Sequence, residues 1–354
     1  MSSRLSEQDA IAESKLSHIL YNQVFVRPKS EFSPSALAGE TGIVAGSNSG
    51  VGFEAARMVL GLGVSRLILA VRSQTRGDNA ARQLVDEFSS AEISVWILDL
   101  ADYDSIIEFV DRCRSLDRLD FVIQVAGVQL TGFYRSEKTN HEMTMQTNYY
   151  GNALLVLLLV AVMKEKKRPE ASKAPVISVV GSDTMYLSTF QTTGPILDQF
   201  DDQTRYSRFD QYRDSKLLLM MFISRLAQQI SPDDVIINVS NPGLTYGTGL
   251  GKGDEKLGHS ENASPAIVRM LFPVFMRAIG RPGKVGASAV VHGVVAGGRE
   301  SHGSFVSDWE VKPHARVMYT QAGKDMSEKL WHETMEEFRG LGFDFGFTNT
   351  LASS

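Results

Sequence analysis

A chain of 354 residues, 43% of them hydrophobic, can fill one large core or two smaller ones. Its 36 basic against 41 acidic residues leave a net charge of −5, which excludes the basic footprint of a nucleic-acid or anionic-membrane binder and points to small-molecule partners. A single cysteine, Cys113, excludes an intrachain disulfide and fits a reducing compartment, where core packing is the ordinary role of a lone thiol.

Residues 1–39, with Pro28 and Pro34, read as an arm. They hold no sustained apolar run, so neither a signal peptide nor an anchor is expected, and the expected location is cytoplasmic. From residue 40 short apolar runs alternate with helix-length segments: 42–45, 66–70, 93–98, 121–125, 176–180 and 235–240. Strands apolar on both faces and separated by helices imply parallel βαβ crossovers. The expected fold is therefore α/β: a Rossmann-type, doubly wound parallel sheet of about seven strands in a single domain over 40–310, with ligands beyond the C-terminal strand ends. Ala153 to Met163 is the greasiest run, roughly half the ~20 residues that span a bilayer, and reads as a buried helix. Residues 311–354 form a tail with one helix. In it Asp325 and Glu328 have capping-box spacing, Trp331, Met335 and Phe338 share a face that must dock on apolar surface, and Gly340 supplies a stop.

The first strand runs into Gly46, Ser47, Asn48, Ser49, Gly50, Val51 and Gly52, followed by an amphipathic helix. Glycines there let the backbone turn and approach a phosphate at the positive end of the helix. The second strand ends in Arg72, where an NAD-binding site would carry an acid. An arginine instead suits a 2′-phosphate, with Ser73 or Arg76 assisting, so NADP(H) is the expected cofactor. Asp99, after the third strand, is placed to accept from the adenine amino group. No metal is expected.

Tyr212 and Lys216 stand one turn apart on a predicted helix. A tyrosine near pKa 10 is a poor base, and lowering it by ~2 to 3 units takes about 3 to 4 kcal/mol, which a neighbouring ammonium and a nicotinamide cation can supply. Ser182 is placed to hydrogen-bond a substrate oxygen, and Asn148 to hold a water that passes protons from Lys216 to bulk.

In their order, the glycine turn, Asp99, Gln124-Val-Ala-Gly127, Asn148, Ser182, Tyr212, Lys216 and Asn241-Pro-Gly243 resemble the short-chain dehydrogenase/reductase family over 40–310. The resemblance implies that Gly46, Gly50 and Gly52 hold the pyrophosphate and that Asn148, Ser182, Tyr212 and Lys216 form a catalytic tetrad, Lys216 also holding the nicotinamide ribose. Pro242, Gly243 and Thr245 would face the carboxamide, while Leu100, Ala126 and Gly127 complete the cofactor contacts. Ala45 and Gln124-Val125 depart from the family's threonine and paired asparagines, which brace the turn and central sheet. Asn48-Ser-Gly50, Arg72, Thr147-Asn148 and Thr248-Gly-Leu250 look most like the retinol dehydrogenase and protochlorophyllide reductase branch. The arm motif Gln23-Val-Phe-Val-Arg-Pro28 and the tail resemble fungal reductases of secondary metabolism, which implies a tailoring step on a polyketide or terpenoid.

Two segments are candidate substrate walls. One is the insertion after Ser182, with Tyr186, Phe190, Pro195 and Phe200, ending in Asp201-Asp202. The other is 265–281, within a lid spanning about 244–285, where Met270, Leu271, Phe272, Pro273, Val274, Phe275 and Met276 read as an adaptable cover for a bulky apolar substrate, as a core or subunit-interface helix, or as a membrane-surface contact. The oligomeric state is left open, a homo-oligomer included. The expected activity is the interconversion of a carbonyl and an alcohol. Its rivals are an NADP(H)-sensing protein without turnover and a sugar-nucleotide epimerase or dehydratase on the same fold.

Overall fold

A computed structural model describes residues 1–28, 32–167, 173–248, 277 and 279–347. Six parallel strands carry the alternating rhythm: β1 Thr41–Ala45, β2 Arg66–Val71, β3 Glu92–Ile97, β4 Phe121–Gln124, β5 Val176–Val180 and β6 Ile236–Asn241. They are joined by β7 Phe305–Ser307 and β8 Glu310–Lys312 in an eight-stranded sheet of order β3-β2-β1-β4-β5-β6-β7-β8. The sequence suggests about seven strands. The eighth is three residues long, antiparallel to β7, and crosses the boundary expected between core and tail at 310.

Strand residues alternate between two covered faces, as a period of two requires. Ile43, Ala45, Ile68 and Ala70 face one apolar cluster, and Val44, Leu67 and Leu69 the other. On the first side lie α5 Tyr103–Arg114, the long helix α6 Met143–Lys166 and α7 Arg208–Ala227. On the second lie α3 Gly50–Gly61, α4 Gln74–Glu87 and α8 Gly283–Val295. Among the described residues α6 is the one helix long and apolar enough to cross a membrane, and it is buried inside the fold. Its residues Gln146–Tyr150 form a π turn.

The arm folds as α1 Glu7–Glu13 and α2 Leu16–Phe25 and is stitched to the far edge of the sheet. Buried Ser2 donates its N–H to Ser304 Oγ (2.9 Å), and Phe305 N–H donates to Ser2 Oγ (3.0 Å). The tail helix α9 runs Gln321–Gly340, with Thr320 rather than Asp325 as its N-cap, because Gly323 N–H finds the Thr320 hydroxyl. Its apolar face does dock: Trp331 stacks on Phe222 of α7 at 5.5 Å, and Phe338 meets Tyr103 edge-on at 6.2 Å.

Candidate active site

The strand ends at one edge of the sheet converge on the residues that the sequence singles out. β1 turns at Gly46 (φ +79°), where a Cβ would come within 2.9 Å of Ala126 N. At Gly52 a Cβ would sit 2.2 Å from the Gly46 carbonyl oxygen, so any side chain there pushes the turn apart. The Ser47 hydroxyl is fully buried without a hydrogen-bond partner, and Ser49, the N-cap of α3, makes no side-chain bond to the first turn. Those open N–H groups at a helix N-terminus suit an anion. Arg72 follows β2, exposed and without an ion pair among the described residues. Thr248 Cα lies 3.3 Å from where a Gly50 Cβ would be, so the loop after β6 reaches back over the turn. Asp99 turns one carboxylate oxygen to Ala101 N–H (3.0 Å), which fixes the loop that begins at Leu100. These residues fit the phosphates of a dinucleotide.

Tyr212 and Lys216, both buried, lie on the first turns of α7. The phenol lies beside Ser182, which caps a 3₁₀ turn over Asp183–Leu187 and whose hydroxyl accepts from Thr184 N–H (3.2 Å) and Thr184 Oγ1 (2.9 Å). Burial pushes Tyr212 up to about 12 against the pull of the Ser182 hydroxyl, and the Asp183 carboxylate adds to the rise. Lys216 Nζ lies 5.9 Å from the Tyr212 ring centroid and donates to Val180 O at 2.9 Å. Burial lowers its own pKa to about 8. The expectation that this ammonium lowers the phenol is therefore not met within the chain alone, because desolvation governs both groups.

Asn148 sits on the π turn of α6, a local widening of the helix that often marks a functional site. Its Oδ1 accepts from Val128 N–H (2.8 Å), and its Nδ2 donates to Val128 O (2.9 Å) and Ser215 Oγ (3.1 Å). Ser215 Oγ in turn donates to Tyr212 O (2.7 Å). With both amide hydrogens in use, the Asn148 side chain braces the start of α7. Gly127 closes the group: a Cβ there would lie 3.2 Å from Asn148 Oδ1 and 3.5 Å from Lys216 Nζ.

A profile described as short chain dehydrogenase matches residues 40–190. The short chain dehydrogenase virL of Hypocrea virens is 45% identical to this chain, over 97% of each. The chain belongs to the short-chain dehydrogenase family. It is also 38% identical to the short chain dehydrogenase/reductase mfmJ of Annulohypoxylon moriforme, over 90% of this chain and 91% of that one. Among solved structures, L-sorbose reductase from Gluconobacter frateurii, complexed with NADPH and L-sorbose, superposes with a TM-score of 0.59 at 20% identity, covering 78% of this chain and 97% of that one. That likeness shows the shared fold. As a family member the protein is an oxidoreductase, and its resemblance to fungal reductases is borne out.

The two candidate substrate walls fare differently. Phe200 is buried and Phe190 packs on it at 5.0 Å, both on the core cluster that includes α9. Glu333 of α9 accepts from Ile196 N–H and Leu197 N–H, and Tyr186 donates to Pro313 O (2.6 Å). The insertion is thus packed on the core and tied to the tail. Met270 to Met276, together with Gly249 and Leu250, lie outside the described residues.

Sequence reasoning missed a polar cluster beside Ser182. Asp183, its carboxyl held above the usual range by burial and by Asp308, shares a small cleft with Asn22, Gln23, Asn241, Gly243 and Arg281. The arm motif beginning at Gln23 was the one available signal.

Proposed function

We propose that the protein is an NADP(H)-dependent short-chain dehydrogenase/reductase that interconverts a carbonyl and an alcohol. The observation that carries the reading is the phenol of Tyr212, buried beside Ser182 and one helical turn before the buried Lys216. NADP(H) rather than NAD(H) is supported by Arg72 at the end of β2 and by the NADPH bound to the similarly folded L-sorbose reductase. The glycine turn and the first turn of α3 would hold the pyrophosphate, Asp99 the adenine, and Lys216 the nicotinamide ribose. Pro242, Gly243 and Thr245 would meet the carboxamide.

The nicotinamide, when bound, supplies or accepts the hydride. This chain manages the proton. Ser182 Oγ holds the substrate oxygen, and Tyr212 donates its phenolic proton to that oxygen in reduction and withdraws it in oxidation. A phenol pushed up to about 12 stays protonated at neutral pH, the form that reduction needs. Lys216, anchored on Val180 O, adds positive charge as phenolate develops. Bulky apolar substrates, as in a fungal tailoring step, suit the kinship with fungal dehydrogenases. A sensor without turnover has no use for this Ser–Tyr–Lys arrangement, and an epimerase or dehydratase has none for an arginine at the end of β2.

The deciding measurement is NADPH consumption across a panel of bulky ketones and aldehydes, with products identified by mass spectrometry. Reduction of at least one, with NADPH preferred to NADH, is expected. Binding of NADPH without turnover of any carbonyl would return the sensor reading.

A further inference from the structure

We infer that the N-terminal arm is part of the cofactor site: Gln23 on α2 is a positioning residue that sets the shape of the loop 242–245, so that arm docking and binding of the nicotinamide end of NADP(H) are coupled. The inference rests on the reading of that loop as the carboxamide contact.

Gln23 Nε2 donates to Leu244 O (2.8 Å) and to Ile279 O (3.0 Å), while its Oε1 accepts from Leu244 N–H (2.9 Å). One buried amide thus satisfies backbone groups at both ends of a chain excursion, from a helix 221 positions away from the loop. The two ends are also joined directly, because Arg281 N–H donates to Leu244 O (2.8 Å) and Tyr246 N–H to Arg281 O (3.1 Å). Arg281 then ties this neck to the arm and to the β7–β8 turn: its Nη2 donates to Asn22 O (3.0 Å) and pairs with Asp308.

The clamp presses on the residue of the loop that has least latitude. Gly243 has φ +72°, and a Cβ there would lie 2.7 Å from Gln23 Oε1 and 2.8 Å from Arg281 Nη1. Inside the loop the remaining bonds are local and weaker in reach, Gly243 N–H to Asn241 Oδ1 (3.1 Å) and Thr245 Oγ1 to Gly243 O (3.2 Å). Without the amide, the Leu244 N–H would have to turn to water, and the loop would be free to sample other shapes. A binding loop ordered in advance loses less freedom when its ligand arrives, so removing the clamp should weaken whatever the loop contacts. The converse follows from linkage: a ligand that needs the clamped loop must steady the arm by the same factor. The cleft that holds Gln23 and Gly243 also holds Asp183, next to Ser182, which places the arm within reach of the reacting end of the site and far from Arg72.

The test compares NADPH with adenosine 2′,5′-bisphosphate, which carries the adenosine end and lacks the nicotinamide. Gln23→Met keeps the volume and removes all three hydrogen bonds. It should weaken NADPH binding by roughly tenfold and leave the bisphosphate within twofold of wild type. In wild type, NADPH should slow amide hydrogen exchange across 16–25, and the bisphosphate should not. A clamp with a merely structural role would change both affinities together or neither, and either result overturns the inference. The exchange measurement needs no variant, so it decides the matter even where Gln23→Met fails to fold: equal protection by both ligands, or by neither, overturns the coupling. Wild type that binds the bisphosphate and NADPH with no contribution from the nicotinamide end refutes the loop assignment beneath it. Failure to bind either ligand refutes the cofactor reading as a whole.

Discussion

At the C-terminal ends of β1 and β2 the chain leaves polar groups without partners, whereas at the ends of β6 and β7 it ties them to segments hundreds of positions away. The Ser47 hydroxyl is buried and unbonded, the first turn of α3 lacks a side-chain cap, and Arg72 stands alone among the described residues. Across the sheet, Leu244, Arg281, Ser304 and Phe305 are bonded to Gln23, Asn22 and Ser2. Unpaired donors cost stability and gain it back only when a ligand arrives; paired ones hold geometry whether or not anything binds. Substitutions on the first side should therefore change binding or chemistry with little effect on folding, and those on the second should change folding as well as, at Gln23, the binding of the nicotinamide end.

The largest effect is expected at the boundary between the two. Tyr212→Phe should lower turnover by ~10² to 10⁴, the share of general acid–base catalysis, while NADPH affinity and melting temperature stay near wild type. Single-turnover hydride transfer with parallel cofactor titration checks this; near-normal chemistry in the variant removes Tyr212 from the mechanism. On the open side, Arg72→Ala should reduce the preference for NADP(H) over NAD(H) by roughly 10- to 100-fold, the worth of a charge-assisted contact, without altering the thermal transition. Titration of both cofactors measures it, and unchanged discrimination assigns the 2′-phosphate elsewhere.

Lys216 blurs the division, because it is needed for chemistry and is buried at a cost. Its folded pKa is depressed from 10.5 to about 8, so the folded state is penalised as pH falls from 10.5 through 8, and the penalty is complete below that. Lys216→Met should therefore stabilise the protein by about 1 to 3 kcal/mol at pH 7, with the gain shrinking from pH 8 toward 10.5, while activity is lost. Denaturant titrations at pH 7 and pH 10 test the sign. A destabilised variant at pH 7 would show that the Val180 contact outweighs desolvation.

The smallest effect is expected at a third place, where the start of α6 is tied to the tail helix. Burial alone would lower the pKa of His141, yet hydrogen bonds to Asp201 (2.7 Å) and to Glu337 of α9 (3.2 Å) raise it from 6.5 to about 9. A raised folded pKa contributes stability that is full below about 6.5 and is lost as pH rises through about 9. His141→Gln should remove about 2 kcal/mol at pH 6 and much less at pH 9.5. Melting curves at the two pH values distinguish this from a loss that is independent of pH, which would mean that stacking on Tyr150 at 4.1 Å is the main contribution.

The same contrast explains what could be read from sequence. Strands buried on both faces announce themselves as apolar runs, and a phosphate turn must place glycines where Gly46 and Gly52 stand, so that side of the fold and the Ser182, Tyr212 and Lys216 group were legible. Gln124 was legible as a departure, and its amide is indeed buried at the end of β4 with neither atom bonded. The clamp of Gln23 was not, nor the pairing of Arg281 with Asp308, since no periodicity encodes a polar contact between distant segments. Strand β8 escaped because three residues carry no pattern, and the start of α9 because the Thr320 cap precedes the more conspicuous Asp325. The burial that raises the Tyr212 phenol and lowers the Lys216 ammonium escaped for another reason. Helical spacing fixes which residues share a face and says nothing of how far water is excluded.

The π turn in α6 bears on how this helix can change over evolutionary time. A π turn takes one extra residue into a single wider turn, so the regular helix on either side keeps its facing while the added residue bulges outward. Asn148 thereby reaches the active site while Tyr149 and Tyr150 remain buried in the core. Losing a single residue between 146 and 150 would restore a regular turn and leave Met143 to Met145 oriented as before relative to Leu154 to Val162, while the bulge that carries Asn148 would be lost. Length at this point is thus tied to the presentation of Asn148 and not to the packing of the flanking turns.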